Sequence, residues 1–256
     1  MTGSEDEVTQ EVIDDLVVLG RAGPELISDG RHTVCLGGWS ESKGFVRLYP
    51  THKFSEAQRW NKIKVPVEQD RSHDWRDESY KIQGSQRDWD TLYEKIEVVD
   101  KLSKDEWVSL IKDIPTTCPN RLNDEKKSMG LVKPAEIHGA ELREVDDPDP
   151  IQTDIEGNRL RSKGTFPYKL HIEYTCEDCE AVGNHDPHCI EWGVYKWWEN
   201  HPDEADQVID NLRLFDEDYK KYFFIGNQKN HPRGFIIISV IRWKEHEDQS
   251  GLDKFI

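Results

Sequence analysis

The chain has 256 residues, with 51 Asp and Glu against 34 Lys and Arg, for a formal net charge of −17. That length can bury the core of one large domain or two small ones, and nine Trp, eight Tyr and eight Phe supply large apolar areas. No 18-residue apolar run and no signal-peptide pattern is present, so no membrane partner is expected and the expected location is cytoplasmic.

Residues 1–15 are acidic and read as a disordered lead. Residues 17–19 start a strand pattern. Residues 31–39 and 44–49 read as two strands joined by a polar turn. Residues 55–60 fit one helical turn. Residues 62–68 alternate as a strand, and Pro66 points to a sheet edge. Ser103 opens a helix: Ser103 and Glu106 form a capping box, Trp107, Leu110, Ile111 and Ile114 follow at helical spacing, and Pro115 ends it. Residues 128–132 and 135–145 read as strands. Residues 146–164 are polar, hold two Pro and two Gly, and read as a loop or joint. A strand over 168–174 follows, then a Trp-rich helix over 189–199 and a second helix over 203–219. Strands over 222–225 and 234–243 complete the pattern. This order predicts an α+β fold with mixed sheets. A small β-rich half would span 16–145, the joint 146–164, and a metal-stapled α+β half 165–256.

The five cysteines include one C-x-x-C, which points to a reducing compartment and a metal or redox site. Cys176, Cys179, His185, His188 and Cys189 lie within 14 residues. Thiolates on a tight turn, completed by imidazole, make a tetrahedral zinc site. Either Cys189 or His188 can complete the set begun by Cys176, Cys179 and His185. The alternative is an iron–sulfur cluster on Cys118, Cys176, Cys179 and Cys189. A redox pair is disfavoured, because Glu177 and Asp178 between the thiols oppose their ionisation. Without a metal, Cys35 and Cys189 read as small core residues.

A charge of −17 repels polyanions, unless it reflects the solvated carboxylates of a halophilic cytoplasm, which is the reading adopted. Local departures then carry the information. Residues 31–64 hold Arg31, Lys43, Arg47, Lys53, Arg59, Lys62 and Lys64 against Glu41 and Glu56. Residues 219–244 hold Lys220, Lys221, Lys229, Arg233, Arg242 and Lys244 and no acid. One reading is a nucleic-acid face: Arg47, Lys53, Arg59, Lys62, Lys229 and Arg233 on phosphates, with Tyr49 or Trp60 stacking on a base. The other is that buried strands exclude acids and leave cations at their ends. Asp74, Asp77, Glu78 and His231 are candidate catalytic residues of a metal-dependent phosphodiester site. Their plainer reading is a salt-bridged loop around Arg76 and a hairpin turn. No phosphate loop, nucleophile elbow or zinc-protease motif is present.

Several strings occur together: Thr33-Val34-Cys35-Leu36-Gly37-Gly38, Val46-Arg47-Leu48-Tyr49-Pro50, Arg76-Asp77-Glu78-Ser79-Tyr80, Ser128-Met129-Gly130, Val132-Lys133-Pro134, Ile190-Glu191-Trp192, and Phe223-Phe224-Ile225-Gly226-Asn227 with His231-Pro232. In this order they resemble a family of uncharacterised bacterial and archaeal proteins, over roughly residues 16–243. The resemblance implies an architecture and no activity. It implies Cys176, Cys179 and His185 as ligands, an apolar slot at Cys189, and His188 or a distant residue as the fourth ligand. The N-terminal strands are also similar to PUA-like barrels that read modified RNA or DNA. The expected function is a nucleic-acid-associated binding protein of a halophilic cytoplasm, with a structural zinc and DNA or RNA as partner. The alternatives are a metal-dependent enzyme on nucleic acid or nucleotides and a metal-stapled protein-interaction module.

Overall fold

The computed structural model describes residues 8–27, 31–52, 55–72, 74–153, 159–177, 179 and 183–245. Seven strands build the first sheet: β1 (Thr9–Arg21), β2 (Glu25–Leu26), β3 (His32–Ser40), β4 (Gly44–His52), β5 (Asn61–Gln69), β6 (Ser79–Ile82) and β7 (Glu97–Lys101). Strand β1 is long enough to serve two partners. Its first part pairs with β5, from Thr9 opposite Gln69 to Val17 opposite Lys62. Its second part pairs with β3, from Val17 opposite Trp39 to Arg21 opposite Leu36. The order β1-β3-β4-β6-β5 therefore returns to β1 and closes a five-stranded barrel. Closure satisfies backbone groups that an open sheet leaves at its edges.

Period-two alternation sorts the β3–β4 hairpin into two faces. Leu36, Val46 and Leu48 join Leu16, Ile63, Val65 and Val67 in the barrel core. The 3-10 helix Gln86–Lys95 adds Trp89 and Leu92 to that cluster. The intervening residues Gly37, Phe45 and Arg47 face the second sheet. Pro66 does not mark an edge. Strand β5 pairs with β7 at residues 61–64 and with β6 at residues 67–68, so the missing N–H of Pro66 falls in the gap between two partners.

The second sheet contains β8 (Met129–Val132), β9 (Pro134–Glu144), β12 (Tyr168–Cys176), β13 (His188–Cys189), β14 (Tyr219–Gln228) and β15 (His231–Lys244), in the order β8-β14-β15-β13-β12-β9. A separate hairpin, β10 (Gln152–Thr153) and β11 (Arg159–Leu160), lies within the stretch read as a joint. The helices are α1 (Lys104–Asp113), α2 (Pro119–Asp124), α3 (Trp192–Asn200) and α4 (Gln207–Asn211). In α1 both capping-box bonds between Ser103 and Glu106 are made.

The barrel packs on the second sheet through an apolar seam of Val17, Leu19, Met129, Leu131, Phe224, Ile238, Ile241 and Trp243. The backbones approach closely there. A Cβ on Gly37 would lie 2.6 Å from the Phe224 ring, and one on Gly20 would lie 2.7 Å from Ser239 Cβ. Each large side chain buried in this seam stabilises the fold by roughly 1.5–3 kcal/mol.

The α+β expectation is corrected: the fold is mostly β, two sheets with a barrel, and its C-terminal half is not helical. The second expected helix, over 203–219, is a 3-10 turn Pro202–Glu204 and the five residues of α4. Residues 55–60 form no helix. Strand β1 starts at Thr9, inside the acidic lead, and β8 and β9 pair in the second sheet although they precede the joint.

Candidate ligand pocket and metal centre

A pocket of about 350 Å³ opens between the barrel and the β14–β15 hairpin. Arg47 and Tyr49 reach it from β4, Cys35 from β3, and Arg76 from the loop before β6. Asn227 reaches it from β14, Lys229 from the turn, His231 from the start of β15, and Lys163 from the short 3-10 helix Lys163–Thr165. Glu25 is the acid in the lining, against Arg47, Arg76, Lys163 and Lys229.

Arg47 is 2% exposed and built into a buried network. Its Nη1 donates to Ser79 Oγ (3.1 Å) and Ser128 Oγ (3.0 Å). Its Nη2 donates to the carbonyls of Ser128 (3.1 Å) and Asn227 (3.3 Å). Ser128 in turn donates its N–H and its hydroxyl to the two carboxylate oxygens of Glu78, at 3.1 and 2.8 Å. Arg76 holds Asp74 through a fork of 2.8 and 2.6 Å, and its Nη1 donates to the Asn227 carbonyl at 3.0 Å. Two guanidinium groups and two carboxylates thus share one network, as burial of charge demands. The guanidinium groups line the pocket and the carboxylates do not, so the cationic side faces the ligand space.

Burial pulls Arg47 below its ordinary pKa, opposed by Cys35, Glu78 and Asp74. Burial works against ionisation of Asp74 too, but the Arg76 guanidinium outweighs it and holds Asp74 below 3.8. Tyr49 accepts a hydrogen bond from Thr33 Oγ1 at 3.3 Å, and burial raises its phenol. Asn227 Nδ2 donates to the Pro232 carbonyl at 2.7 Å, while its buried Oδ1 has no protein partner. Trp75 is 44% exposed beside the turn, with Nε1 3.5 Å from the Lys229 carbonyl.

The second site lies at the end of β12. Ligand atoms of Cys176, Cys179 and His185 all lie within 4.8 Å of one another and could hold a metal ion. His185 returns the chain to β12 through paired backbone bonds with Tyr174, whose ring packs 5.3 Å from the imidazole. Cys179 Sγ is 3.3 Å from His185 Nε2. Burial lowers the His185 pKa, which favours the neutral ligating form. Burial, with Cys179 and Cys118 nearby, pushes the Cys176 thiol up to about 12. A bound cation would reverse that balance.

His188 and Cys189 are not brought into this cluster. The His188 ring stacks on His171 at 5.6 Å, its Nε2 meets Tyr195 Oη at 3.2 Å, and burial pushes it down to about 3. Cys189 is fully buried in β13, opposite Leu170 and Ile237, and burial raises its thiol. The four-cysteine set for an iron–sulfur cluster therefore does not converge.

Of the expected nucleic-acid contacts, Arg47, Tyr49 and Lys229 share the pocket. Lys53 lies outside the described residues. Arg59 is held by Glu191 at 2.5 Å and by the Val240 carbonyl at 3.3 Å. Trp60 stacks on Trp107 at 4.4 Å, and Trp107 meets Trp243 edge-on, so Trp60 belongs to the seam. Lys62 on β5 and the exposed Arg233 are not in the lining. Of the candidate catalytic residues, His231 lines the pocket, Asp74 and Glu78 are bound to Arg76 and Ser128, and exposed Asp77 pairs with Arg71 at 3.2 Å. Among the described residues these carboxylates form no metal-holding group. Sequence reasoning missed Lys163, Asn227 and Trp75. The Gly226-Asn227 string was the signal for one of them.

Residues 13–112 match a domain of unknown function, DUF8758. The match runs from β1 into α1 and agrees with the resemblance to an uncharacterised family. It contains the strings at 33–38, 46–50 and 76–80, which carry Cys35, Arg47, Tyr49 and Arg76. No curated protein matches the sequence. Among solved structures, a murine DNA-binding protein bound to double-stranded DNA aligns over 94% of this chain and 99% of that one. Its identity is 9% and its TM-score 0.29, an overlap too loose to define a shared fold. Among the described residues no helix is long and apolar enough to cross a membrane.

Proposed function

We propose that the protein is a nucleic-acid-associated binding protein of a halophilic cytoplasm that takes one nucleotide unit of DNA or RNA into the pocket. The observation that carries this reading is the convergence of Arg47, Arg76, Lys163 and Lys229 with Tyr49 on one cavity of a chain with net charge −17. In the lining the one carboxylate, Glu25, pairs with Lys163 at 3.4 Å, and the cations outnumber it. Lys163 and Lys229 offer ammonium donors to phosphate, while the Arg47 and Arg76 guanidinium groups, held by protein acceptors, add positive potential to the cavity. Tyr49 offers a ring beside them, and Trp75 a second aromatic surface near Lys229. The cavity size falls within the range of small-ligand pockets. A zinc ion on Cys176, Cys179 and His185 is the structural staple in this reading.

Anisotropy titrations of labelled single- and double-stranded DNA and RNA, in rising KCl, test it. Affinity should fall with salt, nucleoside monophosphates should compete, and Lys229→Ala and Lys163→Ala should weaken binding. Absence of binding to every oligonucleotide at every ionic strength overturns the reading. The metal-dependent enzyme has less support, because Asp74 and Glu78 are occupied by protein partners.

A further inference from the structure

Three ligands at the β12 turn leave one corner of a tetrahedron to fill. The expected fillers are placed elsewhere, His188 against His171 and Tyr195 and Cys189 in the core, and Cys35 lines the ligand pocket. The backbone brings a different cysteine toward the turn. Cys176 pairs with Pro134, the first residue of β9. β9 follows directly on β8, where the Leu131 carbonyl accepts the Thr117 N–H and Leu131 bridges Thr116. Cys118 comes next in the chain. Cys118 and Cys176 are therefore carried on segments that flank the same four residues, 131–134.

Between them lies a cavity of about 90 Å³, lined by Thr116, Thr117, Cys118, Arg121, Lys133 and Glu177. Glu177 is the neighbour of Cys176, and its ion pair with Lys133, at 3.8 Å, ties the turn to the β8–β9 junction. Cys118 is 7% exposed, and its Sγ accepts the Arg121 N–H at 3.4 Å. Its sulfur stands outside the 4.8 Å grouping of the other three, so ligation requires the turn or the Cys118 side chain to close this cavity.

We propose that Cys118 is the fourth ligand, giving a Cys3His site in which one zinc ion staples the start of α2 to the end of β12. The inference rests on the reading of Cys176, Cys179 and His185 as a metal site. Three thiolates and one imidazole are a closed structural set for zinc. They also explain a buried cysteine beside the turn that belongs to neither the ligand pocket nor the barrel core.

Cobalt(II) substitution of the full chain tests this, because sulfur-to-cobalt charge-transfer absorption scales with the number of bound thiolates. The wild-type protein should bind one cobalt, show tetrahedral d–d bands and a three-thiolate intensity, and release cobalt to added zinc. Cys118→Ser should lose about a third of the charge-transfer intensity, in proportion to one ligand of three, and should bind zinc more weakly. Cys35→Ser should leave both unchanged. A wild-type intensity of two thiolates, or a Cys118→Ser spectrum equal to wild type, overturns Cys118 as ligand and leaves the three-residue site standing. Failure of the wild-type chain to bind cobalt or zinc overturns both. The wild-type intensity decides the matter even if the variant does not fold.

Discussion

The Arg47–Arg76 network and the β12 turn are both polar, yet they solve the problem of polar groups in opposite ways. Around Arg47 and Arg76 the protein supplies nearly every partner itself: Asp74, Glu78, Ser79, Ser128 and the Asn227 carbonyl close a network of buried charges. At the turn, Cys176, Cys179 and His185 face one another, and burial with the neighbouring thiols opposes ionisation of Cys176. The network is preorganised, and its guanidinium groups line the pocket. On the zinc reading proposed above, the turn takes its order from an ion. Binding and bracing are thus divided between two places.

The largest expected effect is Arg47→Leu. It removes the donor to the Ser79 and Ser128 hydroxyls and one of the two donors to each of the Ser128 and Asn227 carbonyls, and takes the cation out of the network that holds Glu78, which costs about 3–5 kcal/mol. Urea unfolding with an unchanged m-value measures it. A loss below about 1 kcal/mol would mean the network is not the brace described.

Chelation comes next. If the turn holds an ion at 100 to 1,000 times its dissociation constant, removing it lowers stability by roughly 3–4 kcal/mol. Melting curves with and without chelator should differ for the wild-type chain and coincide for Cys176→Ser. Identical wild-type curves would erase the contrast between the two regions.

Acid separates them further. Asp74 has a folded pKa below 3.8, so its ion pair stabilises the protein above that value and is lost as pH falls through the folded pKa. Asp74→Asn should therefore be less stable than wild type near neutrality, with the gap closing below pH 3.8. A gap that stays constant with pH would assign the effect to packing.

The smallest expected effect on stability is that of Lys229→Ala. Lys229 is exposed at the pocket, so unfolding should change by less than about 0.5 kcal/mol. Oligonucleotide affinity should nevertheless drop several-fold, and the salt slope should flatten by about one charge. Equal losses in folding and in binding would show that pocket and brace are not separate.

Local chemistry made part of this molecule legible. Ser103 and Glu106 cap α1 because both bonds lie within one turn of chain. The β3–β4 hairpin follows from alternation about a three-residue turn. Cys176, Cys179 and His185 meet because at most nine residues separate them. The buried network of Arg47 was not legible, for a different reason. Its acceptors Ser128 and Asn227 lie 81 and 180 residues away along the chain. The expected helix over 203–219 is interrupted by backbone turns, and near its end the Asp216 carboxylate accepts the Asp218 N–H at 3.1 Å.

By itself the sequence determined strand and helix segments, the three-residue metal cluster, and an acidic background against which two basic stretches stand out. Those all depend on neighbours within about ten residues. Barrel closure through β1, the burial of Arg47, and the meeting of the 33–50, 76 and 226–231 strings at one pocket were decided by tertiary structure. They depend on which distant strand fills the space beside a given one, and that is a property of packing between segments.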